Sequence, residues 1–208
     1  MALEIERKYL DIDIPALRHR LTVVGGQTTG AHFESNRVFD TAGQELFHSG
    51  RLLRLRCQEW PGKTRYVLTL KLPIALSPTD SRCKIREERE LSLDDAAGLS
   101  AILEGLGYTE QARYEKVREV WLLSGVEAAL DILPFGAALE LEGAADMLDL
   151  AGNLLGLDKV TISTKSYHEL HQEWRKRHDL PPDLSFVFTA EQRTELRKSL
   201  GLVAAKPA

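Results

Sequence analysis

The chain opens MALEIERKYL, Met1 to Leu10, and the reading of this stretch decides the fold. Glu4, Glu6 and Lys8 occupy every second position, with Leu3, Ile5 and Tyr9 between them. Successive side chains of a strand point to opposite faces, so this is one charged face and one mostly apolar face. A surface strand would place the charges in water, as charged residues ordinarily are. The alternative is that the charged face is the inner one.

The same period recurs along the chain. In RLLRLRC, Arg54 and Arg56 oppose Leu53, Leu55 and Cys57; in VLTLKL, Thr69 and Lys71 oppose Leu68, Leu70 and Leu72. Lys84, Arg86, Glu88 and Glu90 share a face in CKIREERE, although Glu87 and Arg89 interrupt the apolar one. Lys116 and Arg118 oppose Val117 and Trp121, Glu140 and Glu142 oppose Leu139 and Leu141, and Asp131 stands in ALDIL. Two arrangements fit. One is a sheet with a solvated charged face. The other is a closed barrel with its apolar faces outward under helices and its charges lining a channel, for which eight strands suffice.

Two features favour the channel. The polar faces are almost wholly ionisable, and like charges sit side by side, which costs a few tenths of a kcal/mol or more per pair unless a ligand neutralises them. Paired carboxylates suit a hard divalent cation, and paired arginines suit phosphate oxygens. Together they describe a site for a metal-bound polyphosphate.

The spacing predicts eight strands, at about residues 2–10, 30–40, 51–60, 64–72, 83–93, 112–123, 127–133 and 137–143. Helices are expected at 14–21 and 94–106, and again after residue 143, with a last one after Pro181-Pro182. TAGQELFHSG reads as a turn-rich connection, residues 73–82 as a mobile loop, and residues 201–208 as a fraying end.

At 208 residues, 43% hydrophobic and 28% charged, the chain has the composition of a soluble globular protein with a sizeable core. A net charge of −4 argues against nucleic acid bound by bulk charge. No apolar run approaches the roughly 18 residues that span a membrane, and the charged start is unlike a signal peptide. Cys57 and Cys83 stand on apolar strand faces in no metal-ligand spacing, so buried free thiols and a cytoplasmic setting are expected. His168 and His171, three apart, read as surface residues, and Trp60, Trp121 and Trp174 as core or interface. No nucleophile triad or glycine-rich phosphate loop is evident.

The ordered set of Glu4-x-Glu6-x-Lys8, LRLR, TLK, REERE and LELE resembles the CYTH domain of the triphosphate tunnel metalloenzymes, over about residues 2–170. The resemblance implies an α+β fold built on an eight-stranded antiparallel β-barrel with a charged interior and helices outside. It implies a tunnel domain over 1–180 and a helical extension over 181–208. The metal ligands it implies are Glu4, Glu6, Glu140 and Glu142, with Asp131 as a further acidic ligand. Lys8, Arg54, Arg56, Lys71, Arg86, Lys116 and Arg118 would clamp a triphosphate. Glu88 and Glu90, with Lys8, would take catalytic parts beside a second cation or the attacking water.

The expected activity is hydrolysis, dependent on Mg²⁺ or Mn²⁺, of inorganic triphosphate or a small organic triphosphate. Class IV-type adenylate cyclisation of ATP and non-catalytic polyphosphate or nucleotide binding are the alternatives. The family's second strand often carries Tyr before its Phe/Tyr-Asp pair, whereas Val38 stands there in RVFDT, and TKSYHEL resembles a Ser-Tyr element of some bacterial members. The organic part of the substrate is not legible, and a homodimer is compatible with the late helices.

Overall fold

The computed structural model describes residues 2–74 and 81–202. The expected mobile loop at 73–82 and fraying end at 201–208 therefore fall largely outside the described residues. Eight antiparallel strands close on themselves. In chain order they are β1 (Ala2–Leu10), β2 (Gln27–Asp40), β3 (Leu52–Trp60), β4 (Lys63–Leu72), β5 (Lys84–Leu93), β6 (Thr109–Leu123), β7 (Val126–Leu133) and β8 (Gly136–Glu142). The order around the barrel is β5-β4-β3-β2-β6-β7-β8-β1, and β1 returns to β5. A two-residue strand that the sequence does not announce, β9 (Ile162–Ser163), continues alongside β1 where β5 leaves off. Closure leaves no long unpaired edge.

The barrel is inverted. Leu53 and Leu55 of β3 face outward and pack with Phe39, Leu99 and Leu103, the last two on α3 (Ala96–Gly105). The largest apolar cluster lies outside the opposite wall. There Tyr9, Trp121, Leu130, Leu139 and Leu141 meet Leu17 and Leu21 of α1 (Ile14–Val23) and Leu148 and Ala151 of α4 (Ala145–Leu154). Leu139, Leu141 and Leu148 are wholly buried, and each such side chain is worth about 1.5–3 kcal/mol over exposure. Gly152 lets α4 approach β1, since a Cβ there would stand 2.9 Å from the Tyr9 hydroxyl.

Local chemistry sets the helix ends. The Asp13 side chain accepts from Ala16 N at 3.0 Å with Pro15 in the first turn, and Asp95, not Asp94, caps α3. Ser166 with Glu169, and Thr189 with Gln192, form capping boxes at α5 (Tyr167–Arg177) and α6 (Ala190–Ser199). The connection TAGQELFHSG contains one turn of helix, α2 (Glu45–His48), because the Asp40 carboxylate accepts from the backbone N–H of Leu46 and Phe47. Helix α6 covers β2 and β6 through Phe33, Val117, Phe188 and Leu196, and Arg193 and Arg197 bond Glu115 and Glu59. β5 keeps its outer face partly in solvent, which explains its interrupted apolar pattern: Glu87 pairs with exposed Arg89, and Leu91 is exposed. Cys83 is buried, whereas Cys57 is half-buried beside Glu59, and burial and that carboxylate push its thiol up to about 11.

Candidate functional site

Strand register assembles two walls inside the barrel. On β1, β8 and β7, Glu6 stands opposite Glu142, and Glu142 opposite Glu127; Lys8 faces Glu140. On the other side of β1, Glu4 stands opposite Arg86 and Glu6 opposite Lys84. The facing wall is cationic, with Arg54 and Arg56 from β3 and Lys116 and Arg118 from β6. Between the walls lies a cavity of about 370 Å³. It runs into a chamber of about 380 Å³ at one end, sharing Leu52, Lys71, Lys84, Ser166 and His168 with it. At the other end it meets a mouth of about 380 Å³ through Arg56, Gln58, Arg65, Arg118 and Glu127.

Buried charges require partners, and the cationic wall has its own. Asp131 is fully buried and accepts from Lys116 Nζ at 3.1 Å, Arg118 Nε at 2.8 Å and the Tyr167 hydroxyl at 2.7 Å. Tyr167 reaches this point because α5 crosses the end of the barrel, and its ring lies 4.7 Å beneath the Lys8 ammonium. Glu140 bonds Lys8 at 2.9 Å and also Arg118. Glu34, fully buried, receives His32 at 2.9 Å and lies 3.4 Å from Arg56 and 3.6 Å from Lys116. Burial alone would raise both glutamates, but Arg56 and Lys116 hold Glu34, and Lys8 and Arg118 hold Glu140, well below the ordinary carboxylate range. Arg54 donates to Tyr114 Oη and Thr69 Oγ1, each at 3.1 Å.

The acidic wall is the reverse. Burial and a hydrogen bond with Glu88 raise Glu4, while Glu88 is held low by that bond and by Lys71, which pairs with both. Glu142 is pushed up to about 7, by burial first and then by Glu4, Glu127 and Glu88. Glu6 has only longer contacts, with Lys8 at 3.6 Å and Lys84 at 3.8 Å. Among the described residues no three His, Cys, Asp or Glu side chains are drawn together as a metal cage. The lysines interleaved between the carboxylates do part of the neutralising. The donors are hard carboxylate oxygens, the type that suits Mg²⁺ or Mn²⁺, and the surplus negative charge registered at Glu142 is what a divalent cation would relieve.

Of the residues singled out in the sequence, Glu4, Glu6, Lys8, Arg54, Arg56, Lys71, Glu88, Glu90, Lys116, Arg118, Glu140 and Glu142 line the central cavity. Arg86 lines the adjoining chamber instead. Asp131 lies behind the lining, its oxygens occupied by two cations and a hydroxyl. The structure adds Glu127, Arg65, Lys84, Tyr114, Tyr167 and the Glu34–His32–Gln58 group. Several of these carry a sequence signal, since Lys84 shares its face with Arg86, Glu88 and Glu90, His32, Glu34 and Asn36 alternate with Phe33, and Glu127 is in phase with Asp131. Tyr167 comes from a helix, where strand parity says nothing. His168 and His171, expected at the surface, are instead drawn into an aromatic group with Phe186; His171 is buried, with Trp174 stacked on it and Phe135 tilted against it.

A closed antiparallel barrel with an ionisable lumen defines a class of tunnel proteins. The chain belongs to the CYTH domain family, whose sequence pattern it matches over residues 2–155. It is 25% identical over 180 residues to a Methanocaldococcus jannaschii protein named "Putative adenylate cyclase", covering 81% of this chain and 98% of that one. A Pyrococcus horikoshii structure superposes with a TM-score of 0.68 at 21% identity, over 82% of this chain and 98% of that one. A Hippeastrum structure, described as a "putative adenylyl cyclase" that "reveals a dominant" triphosphatase activity, gives 0.60 at 21% identity, over 88% and 99%. No helix among the described residues is long and apolar enough to cross a membrane.

Proposed function

We propose that this protein is a cytoplasmic, Mg²⁺- or Mn²⁺-dependent triphosphatase acting on inorganic triphosphate or a small organic triphosphate. One observation carries the reading: a cationic wall with its own buried counter-ions faces a carboxylate wall with surplus negative charge across a single cavity. Arg54, Arg56, Lys116 and Arg118 would hold the phosphate chain, with Lys71, Arg86 and Lys84 toward the chamber. Their positions are set before any anion enters, so little reorganisation is needed as charge develops on the leaving pyrophosphate. Glu4, Glu6 and Glu142 would hold the cation, with Glu88 and Glu127 close by. A cation bound there supplies charge neutralisation and a lowered pKa for water. Glu88 and Glu90 line the same cavity and would take the proton of the attacking water.

Lys8, Glu140 and Asp131 receive a different part from the one the resemblance implies. Lys8 is 2% exposed, pairs closely with Glu140 and lies 3.6 Å from Glu6, and Glu140 is held between Lys8 and Arg118. These residues, with Asp131, brace the cationic wall. Residues 1–180 would form the working tunnel domain and 181–208 a helical extension, whose described part packs outside β2 and β6 through Phe188, Leu196 and Leu200.

The second reading, ATP cyclisation, is favoured by the name of the archaeal relative. A product assay separates them. Incubation of inorganic triphosphate and ATP with Mg²⁺ or Mn²⁺ is expected to release orthophosphate from either. Cyclic AMP as the main product from ATP would give the second reading its place. Tight binding without turnover would leave a non-catalytic module.

A further inference from the structure

An uncharged donor stands among the cations of the tunnel wall. Tyr114 belongs to the same inward row of β6 as Lys116 and Arg118, is buried, and lines the central cavity. Its hydroxyl oxygen accepts from Arg54 Nη1 at 3.1 Å. A guanidinium has only protons to give, so the phenolic proton is directed elsewhere. Among the described residues no acceptor takes it. Burial alone would raise this phenol, but Arg54, Arg56 and Lys116 hold it below its ordinary value, which makes it the stronger donor.

The ring is fixed by a segment far along the chain. β7 pairs with β6 only from Val117 onward, and residues 185–188 take the edge of β6 before it. Phe186 N–H donates to the Arg113 carbonyl and Glu115 N–H to the Phe186 carbonyl, each at 3.0 Å. Phe186 is thereby stacked on Tyr114 with 5.0 Å between ring centroids, and His168 meets the same ring edge-on at 5.1 Å. His168 is held in turn, because its Nδ1–H donates to the Leu184 carbonyl at 2.9 Å. The clamped ring keeps its hydroxyl at Arg54, so the donor is in place before any anion enters. We infer that Tyr114 contacts the phosphate chain directly, its hydroxyl donating to a non-bridging oxygen of the phosphate that Arg54 binds. A neutral donor adds direction to a wall that otherwise supplies charge. The inference rests on the triphosphate reading above and adds a residue to its binding wall.

The test is equilibrium binding of inorganic triphosphate with Mg²⁺ by titration calorimetry. Tyr114→Phe keeps the ring and its stacking and removes only the hydroxyl. It is expected to weaken triphosphate binding about tenfold, the scale of one hydrogen bond to a charged group. The same substitution takes an acceptor from Arg54, so Thr69→Val supplies the comparison. Thr69 Oγ1 is the other acceptor of Arg54, at 3.1 Å, and lies behind the cavity lining. An affinity within about twofold of the wild type is expected there, since no hydrogen bond to the chain is lost. Phe186→Leu keeps the hydroxyl and frees the ring, so it serves should Tyr114→Phe fail to fold, with a loss of about threefold expected from the lost orientation. An unchanged affinity in either folded variant, or an equal loss in Thr69→Val and Tyr114→Phe, overturns the contact while leaving the triphosphate reading intact. A wild type that does not bind triphosphate overturns both.

Discussion

Replacing Asp131 by Asn tests whether the cationic wall is held by its own buried counter-ion. The substitution keeps shape and one acceptor oxygen but removes the charge facing Lys116 and Arg118, and it turns an NH₂ group toward those donors. Asp131 is wholly inaccessible to solvent, so water cannot compensate. Breaking a buried ion pair by removing one partner costs about 3–5 kcal/mol, and an oxygen retained at the Oδ2 position for the Tyr167 hydroxyl and Arg118 Nη2 places this case near 3. For a chain of this size each kcal/mol shifts Tm by about 2–4 °C, so the variant should melt roughly 6–12 °C lower. Anions should act in the opposite sense. The wall gains one net positive charge, so inorganic triphosphate should raise the Tm of the variant more than that of the wild type. Scanning calorimetry with and without triphosphate reads both effects. A drop below about 2 °C, or an equal triphosphate shift in the two proteins, would refute the bracing role.

Glu6→Gln should cut triphosphate turnover by about a hundredfold or more, the scale of losing a principal electrostatic group. Its melting should be nearly unchanged, since Glu6 makes only the longer contacts to Lys8 and Lys84, and near-normal turnover in a phosphate-release assay would remove its proposed part. Glu142 predicts a pH dependence, for its folded pKa of about 7 lies above the ordinary carboxylate value of 4.5. A raised carboxylate stabilises the fold fully below 4.5, and that contribution is lost as pH rises through about 7. Cation binding runs the other way, because the cation takes the ionised form. Mn²⁺ affinity should therefore be about tenfold weaker at pH 6 than at pH 8, by the roughly tenfold-per-unit competition of one proton. Glu142→Gln should flatten that dependence, and a flat wild-type profile would count against Glu142 as a ligand.

The inverted barrel was legible because alternation alone distinguishes the two faces of every strand, and the ionisable face was too uniform for an ordinary surface. Alternation carries less where a helix supplies the inner residue. Tyr167 reaches Asp131 only because α5 crosses the barrel end, a tertiary fact that strand alternation does not announce. Short elements were equally silent. Helix α2 depends on an Asp40 carboxylate satisfying backbone donors six and seven residues on, and β9 on the place where β5 leaves β1. The Glu87 and Arg89 interruptions that weakened the pattern mark where β5 keeps its outer face partly in solvent.

Parity also cannot sort one inward carboxylate from another. Glu140 and Glu142 are two residues apart on one strand face, yet their environments drive them in opposite directions. Glu140 stands opposite Lys8 and meets Arg118, so it stays ionised against burial. Glu142 stands between Glu6 and Glu127 in the register, so burial and like charge favour its proton. The cause is which strand lies next door and in what register, and a single strand sequence does not contain it. The two outcomes suit two kinds of work. A carboxylate locked between cations keeps those cations in place without a ligand, whereas one crowded by its own kind remains in want of positive charge. Tunnel closure sets them side by side, and on that pairing of a braced cationic wall with a crowded acidic one the proposal of a polyanion with its counter-cation rests.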